Sequence, residues 1–281
     1  MKTTKTVLLT PGLPAPILRP LLMTLTRLSL TLALLLMASG TTFAQDLPSG
    51  DDILAQLKGQ TALIGSGSAV VNLITENKKG DQRASKLMVF RSDDGVAEKQ
   101  LVEYMDPADV RGTKFLSISE RGGGEPEMWL YLPALGRERR IAGHMTKGNF
   151  MGTDFTYEEI GGGWAYSDEY DAVRLDDEAH EEYACYVLDL TPRTEGDYSR
   201  LKMWVWRDEM IPLKIQFYDT SGQLSKQLLI TDLRRNEDGE CIPHRIVMSN
   251  ELAGTKSIIE ILEIRNQVDD DFFTLRYLRA K

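Results

Sequence analysis

The feature that most limits what this chain can fold into is the period of its apolar residues, which is two along most of its length. Strand-like runs fall near 66–76, 84–92, 97–105, 112–120, 126–133 and 136–142. A second set follows near 183–191, 199–208, 211–219, 223–234, 240–250 and 255–265. Side chains of a strand alternate between its two faces, so a period of two marks strands and not helices. Turn chemistry separates many of the runs: Lys79-Gly80-Asp81, Asp93-Asp94-Gly95, Ser221-Gly222, Asp238-Gly239 and Ala253-Gly254. A dozen strands joined by tight turns form an antiparallel meander or barrel. The alternation of strand and helix that a parallel sheet requires is missing, and no repeat or linker divides the chain. One mainly β domain is expected, with a short amphipathic helix over Asp51–Leu63 ahead of it. Asp51 or Asp52 can cap that helix, and Ile53, Leu54 and Leu57 form its apolar stripe.

The strand faces carry further information. Leu213, Ile215 and Phe217 alternate with Lys214, Gln216 and Tyr218, as in a strand with one wet face. Two other strands are apolar on both sides. Met128, Leu130 and Leu132 oppose Trp129 and Tyr131, while Leu201, Met203 and Val205 oppose Trp204 and Trp206. A sheet that is greasy on both faces is either covered on both or holds a ligand on one, and the pattern alone leaves both options open. The stretch 143–182 breaks the period. Asp154-Phe-Thr-Tyr-Glu-Glu-Ile160 can start a helix that the glycines at 161–163 end, and Tyr170 to Glu182 is strongly acidic. This stretch is the candidate for a mobile lid or plug.

The amino-terminal 44 residues differ from the rest. They hold Lys2, Lys5, Arg19 and Arg27, no acidic residue, an apolar run over Leu28–Met37, and Thr42-Phe43-Ala44 as a small-x-small cleavage site. That order is a secretory signal peptide, so residues 1–44 are expected to be removed and 45–281 to act in the periplasm. Without the four basic residues the formal charge moves from −9 to −13. Such a surface argues against nucleic acid as a partner and against steady residence on an anionic bilayer. Cys185 and Cys241 are permitted one disulfide in an oxidising compartment; otherwise each is a small buried apolar group.

Little in the chain points to chemistry. His144, His180 and His244 lie far apart with no metal-ligand spacing. There is no Gly-x-Ser-x-Gly elbow, and the glycines at 122–124 and 161–163 lack the Lys-Ser/Thr of a phosphate loop. No enzyme activity, cofactor or metal is expected. The densest signal is Met128-Trp-Leu-Tyr-Leu-Pro-Ala-Leu-Gly-Arg-Glu-Arg-Arg-Ile141, a hairpin turning at Pro133 to Gly136 into a basic strand, followed by a loop with Phe150, Met151 and Phe155. Arg137, Arg139 and Arg140 there either meet a phosphate head group or a partner, or pair with the surplus acids.

This segment, with Phe150-Met-Gly-Thr-Asp-Phe-Thr-Tyr-Glu-Glu, Asp106-Pro-Ala-Asp-Val-Arg-Gly-Thr-Lys-Phe-Leu116, Cys185-Tyr-Val-Leu-Asp-Leu, Pro212-Leu-Lys and the closing Asp271-Phe-Phe-Thr-Leu-Arg-Tyr-Leu278, resembles the outer-membrane lipoprotein-sorting, LolA-like family, in the branch associated with RND/MMPL-type lipid exporters. The resemblance spans essentially all of residues 45–281. It implies a half-open antiparallel β-barrel of about eleven strands wrapped over short helices, with an apolar interior. It also implies a monomeric periplasmic carrier that shelters lipid or lipoprotein acyl chains, served by an inner-membrane RND/MMPL-type transporter. Face patterns assign Trp129, Tyr131, Leu132, Phe150, Met151, Phe155, Trp204 and Trp206 to the lining of that interior. The alternative is a periplasmic protein-binding or scaffold module for envelope assembly, with a filled interior and no lipid cargo.

Overall fold

A computed structural model of the protein describes residues 47–57, 66–121, 123–162, 169–236 and 239–280. The expected signal peptide, residues 1–44, and the end of the helix expected to reach Leu63 lie outside the described residues.

The alternating runs form one antiparallel sheet. Its strands are β1 (Gly67–Glu76), β2 (Gln82–Asp93), β3 (Ala97–Asp106), β4 (Lys114–Glu120), β5 (Glu127–Leu132), β6 (Arg137–Ile141) and β7 (Tyr170–Arg174). They continue with β8 (Glu178–His180), β9 (Tyr183–Pro192), β10 (Tyr198–Trp206), β11 (Ile211–Asp219), β12 (Leu224–Arg235), β13 (Cys241–Asn250) and β14 (Thr255–Arg265). The spatial order is β6-β5-β4-β3-β2-β1-β14-β13-β12-β11-β10-β9-β7, with β8 also on β9. Most neighbours in sequence are neighbours in space; β1 pairs with β14 and joins the two halves, and β7 pairs with β9 and not with β8. The path stays open between β6 and β7, as a half-open barrel requires. Among the described residues there are fourteen strands in place of the expected eleven, and the two that the period missed are β7 and β8. They are short, at five and three residues, their exposed positions mix Asp171 and Glu178 with Val173 and Ala179, and only Tyr170 and Ala172 turn inward into the core. The acidic half of the expected lid is therefore an edge of the sheet.

The turns behave as their residues dictate. Gly80, Gly95, Gly222 and Gly254 adopt positive φ at the tips of hairpins, where a side chain would be strained. Helix α1 (Gly50–Leu57) carries Asp51 and Asp52 in its first turn and buries Ile53, Leu54 and Leu57. It also covers the free edge of β7. The Asp51 carboxylate accepts the Ala172 amide at 2.9 Å, and Gly50 lies so close that a Cβ would stand 2.4 Å from the Ala172 carbonyl oxygen. Helix α2 (Tyr157–Ile160) starts at a capping box, in which Thr156 and Glu159 satisfy each other's backbone amides at 3.0 and 2.7 Å.

The sheet has two apolar faces, and different elements cover them. Its inner face packs Ala69, Val71, Leu87, Val89, Leu130, Leu201, Met203, Ile215, Ile246 and Ile259 against α1 and against the 145–160 segment. On the outer face, Phe90, Leu101, Leu116 and Tyr131 lie beneath Phe273, Leu278 and the carboxy-terminal helix α3 (Leu275–Arg279). A third cluster, also outward, gathers Cys185, Val187, Trp204 and Leu213. Leu213 does not keep company with Ile215 and Phe217. The β10–β11 register slips between Trp204 and Val205, and this bulge turns Leu213 to the outside. Both cysteines are free, and the strands that hold them, β9 and β13, have three others between them.

Candidate functional site

The candidate site is the inner face together with the loop that fills it. Between β6 and β7 the chain leaves the sheet and crosses the interior as a tight finger. Asn149 and Thr156 form an isolated antiparallel bridge, the Phe150 amide donates to the Phe155 carbonyl at 2.7 Å, and the Tyr157 amide donates to the Gly148 carbonyl at 3.1 Å. Met151 takes the left-handed conformation at the tip, with φ 46°, and Gly152 follows at φ 80°. This tight reversal throws Phe150 and Phe155 inward, and both are wholly buried. Phe150 meets Phe115 and Tyr157 edge-on, each at 5.4 Å between ring centres.

The finger is pinned by hydrogen bonds as well as by packing. The buried Asp154 carboxylate accepts the Thr255 hydroxyl at 2.6 Å and the Ser257 hydroxyl at 2.8 Å, both on β14. The Asp154 amide donates to Ser257 Oγ at 2.8 Å, and Lys226 of β12 donates to its carbonyl at 2.9 Å. Gln100 of β3 donates to the Ile160 carbonyl. The residual apolar cavity beneath the finger measures about 50 Å³ and is lined by Val71, Leu87, Val102, Phe150, Phe155 and Ile259.

A more polar cavity of about 290 Å³ opens at the mouth, between α2 and the β9–β10 turn, with Lys147, Glu158, Glu159, Glu169, Tyr198 and Lys226 on its walls. Burial, helped by the neighbouring Glu169, pushes the Glu158 carboxyl up to about 7. Burial also raises Glu159, against the pull of Lys226 and the Thr156 hydrogen bonds. A wider depression of about 1690 Å³ lies open on the outer face. Its walls mix apolar side chains, among them Met88, Phe90, Ile242 and Phe272, with charged ones such as the paired Arg265 and Glu263. Among the described residues no group of three or more His, Cys, Asp and Glu converges to hold a metal.

The residues assigned from sequence do not all meet here. Phe150, Met151 and Phe155 belong to the finger, and Leu132 packs on the inner cluster from the edge of β5. The four other aromatics lie on the opposite side of the sheet. Trp129 and Tyr131 are covered by the carboxy-terminal segment. Trp204, 6 % exposed, donates its indole N–H to Glu178 at 2.8 Å and lies between the ammonium groups of Lys202 and Lys214, each 4.5 Å from its ring centre. Trp206 packs against Tyr183 with the rings tilted at 56° and their centres 4.6 Å apart. These strands are greasy on both sides because each side has its own cover. Of the arginines, Arg137 and Arg139 sit on edge strand β6 opposite Leu132 and Leu130, while Arg140 faces outward over the Trp129 ring at 5.8 Å. Missing from the sequence assignment were Asp154, Thr255 and Ser257. A lone Asp between two inward phenylalanines, opposite two hydroxyl residues on a β strand, was the available signal.

No curated protein matches the chain. Residues 97–280 match a family model described as uncharacterized-protein-like. A DUF1329 family protein from Desulfovibrio piger is 27 % identical with a TM-score of 0.73, over 82 % of this chain and 97 % of that one. A protein domain from Vibrio parahaemolyticus assigned to outer membrane lipoprotein sorting is 28 % identical with a TM-score of 0.71, over 82 % and 98 %. A LolA superfamily protein from Nitrosomonas europaea shares the fold at 21 % identity and a TM-score of 0.64, over 82 % and 100 %. With its family model covering residues 97–280, the chain belongs to that DUF1329-type family and has the LolA-like fold of the outer-membrane lipoprotein-sorting proteins.

Proposed function

We propose that the protein is a periplasmic, non-enzymatic carrier that shelters an acyl chain of a lipid or lipoprotein on the inner face of its sheet, for transfer towards the outer membrane. The observation that carries this reading is the nature of the inner cover. A single finger, residues 149–160, fills the middle of the sheet, held by a cluster of hydrogen bonds at Asp154 and one from Gln100 to Ile160 rather than by strand pairing. The cavity of about 50 Å³ is far smaller than the roughly 300–1,000 Å³ of ordinary ligand sites, so a chain enters only by displacing the finger. The magnitudes permit that exchange. Burying an acyl chain is worth about 0.8 kcal/mol per methylene, on the order of 10 kcal/mol for a typical chain. Exposing two phenylalanines costs about 2–3 kcal/mol each. An inner-membrane transporter of the RND/MMPL type is the proposed donor.

The filled interior is also what a protein-binding scaffold module of the periplasm would show, so that second reading stands beside the first. Native mass spectrometry of gently purified protein, with displacement of an apolar dye by phospholipid, separates them. The carrier reading expects bound lipid and competitive displacement. Protein without lipid that takes up neither dye nor phospholipid leaves the scaffold reading.

A further inference from the structure

Arginine pairing is uneven across this acidic molecule. Arg83, Arg91, Arg111 and Arg121 each stand within 4.0 Å of a carboxylate, and so does every described arginine from Arg174 to Arg265, as does Arg279. Among the described residues the arginines without such a partner are Arg137, Arg139 and Arg140 on β6 and Arg276 on α3, the helix that packs against β4 and β6. All four are exposed. Arg139 donates only to the Met145 sulfur, and Arg140 rests over the Trp129 ring. The single acid of the strand, Glu138, is already engaged by Arg279, whose guanidinium holds that carboxyl below the usual range. Unneutralised cations therefore collect along one edge of the sheet, in a chain whose formal charge is −9.

An apolar tip stands at the same edge. The β5–β6 hairpin turns through Pro133–Leu135 with Gly136 at φ 60°, and Leu135 projects with 59 % of its surface exposed. The neighbouring β3–β4 turn lies against it, with Gly112 beside Pro133, and Met105 at the end of β3 is 40 % exposed.

We propose that this edge, the β5–β6 turn with strand β6, is the surface by which the protein touches an anionic phospholipid bilayer. The pattern fits a bilayer better than a protein partner. A protein interface needs a broad, closely packed apolar centre, whereas here one leucine stands on a protruding turn. A fluid surface closes around such a tip, and long cationic side chains reach phosphates without a fixed register. The acidic remainder of the molecule is repelled by the same surface, so contact is oriented and brief. The carrier reading supplies the purpose of this contact, but attachment is measurable without it.

The test uses flotation of the soluble chain with vesicles of phosphatidylglycerol and phosphatidylethanolamine, and with vesicles of phosphatidylcholine alone. Attachment to the anionic vesicles at low salt, release at 0.5 M salt as expected from charge screening and little attachment to phosphatidylcholine are expected. Each arginine near an anionic surface strengthens attachment about fivefold, so Arg137→Gln/Arg139→Gln/Arg140→Gln weakens it by about a hundredfold. Leu135→Ser weakens it less, and circular dichroism confirms that both variants fold. Equal attachment of the triple variant, equal attachment to neutral vesicles, or binding of polyglutamate without vesicle attachment overturns the proposal. Copurified lipid is measured on the same samples. Lost attachment with an unchanged lipid load supports a surface role separate from carriage, and attachment by a protein that copurifies no lipid upholds this proposal while removing the carrier reading.

Discussion

Glu158 shows how one residue can set the strength of the plug. It sits on the short helix α2, at the seam where the finger meets the wall, and burial and Glu169 raise its carboxyl from 4.5 to about 7, with Lys147 pulling the other way and Glu159 adding to the rise. When the finger leaves, the carboxyl returns to water and to its ordinary value. Between about pH 4.5 and 7 the closed arrangement thus holds a proton that the opened one releases. Opening then becomes easier as pH rises through this window, and levels off above it. Hydrogen exchange of the amides in 149–160, corrected for intrinsic rate, is expected to show protection falling from pH 5 to pH 8. Glu158→Gln, which cannot ionise, is expected to lessen that dependence, leaving the part that the buried Glu159 contributes. The same slope in the variant would place the titration elsewhere. Asp154 plays the opposite part: its acceptors are all used within the fold, and it binds the finger to β14 through two hydroxyls and its own amide.

At the scale of elements, the outer face depends on a short helix that could not stand alone. Helix α3 has five residues, well under the length at which an isolated helix persists in water. Thr274 caps its start, accepting the Tyr277 amide at 3.1 Å. Its end is held by Lys114 of β4, 4 % exposed, whose ammonium donates to the Tyr277 and Ala280 carbonyls at 3.1 and 2.9 Å and lies 4.3 Å from the Tyr277 ring centre. Glu103 stands 3.7 Å from the same nitrogen. Lys114→Met keeps the bulk but removes the donor, so the Ala280 carbonyl loses its side-chain partner and Glu103 its cation, with the Tyr277 hydroxyl left as the donor to that carboxylate. A loss of about 2–3 kcal/mol is expected, read as a lower thermal midpoint with faster proteolysis of the last dozen residues. The elements were unevenly legible in the sequence. Twelve strands announced themselves by period and turns, and α2 by the run Asp154–Ile160 ahead of the glycines at 161–163. Strands β7 and β8 did not, because runs of five and three residues with exposed Asp171 and Glu178, set in an acidic stretch, are too short to show a period and read as a loop. Nor could alternation say which side of β5 or β10 faces inward. Trp129 and Trp204 are as apolar as Leu130 and Met203, and only the covering segments, far away in sequence, decide between the faces.

At the scale of the whole molecule, an open sheet of fourteen strands has two apolar faces to keep from water, and it covers them with unequal permanence. The outer clusters are closed by the carboxy-terminal helix and by the 175–183 region, whose β8 is hydrogen-bonded to β9 and so belongs to the sheet itself. The inner face relies on α1 and on a finger that pairs with no strand of the sheet and is bounded by glycines at 148 and 161–162. If exchange between finger and hydrocarbon is how cargo enters, then locking the finger should abolish loading without unfolding the protein. Asp154 and Ser257 offer the lock. The Asp154 amide nitrogen is 2.8 Å from Ser257 Oγ, which by bond lengths keeps their Cα atoms under about 7 Å apart, within the range a disulfide spans. In a chain carrying Cys185→Ser and Cys241→Ser, Asp154→Cys/Ser257→Cys is expected to take up apolar dye and phospholipid when reduced. The substitutions remove the carboxylate–hydroxyl bonds and leave the Lys226 bond to the carbonyl of residue 154, so uptake by the reduced form should exceed that of the parent chain. After oxidation, uptake should vanish, and a reductant should restore it. Undiminished uptake by the oxidised form, with the crosslink verified by mass, would mean that hydrocarbon lies somewhere other than beneath Phe150 and Phe155.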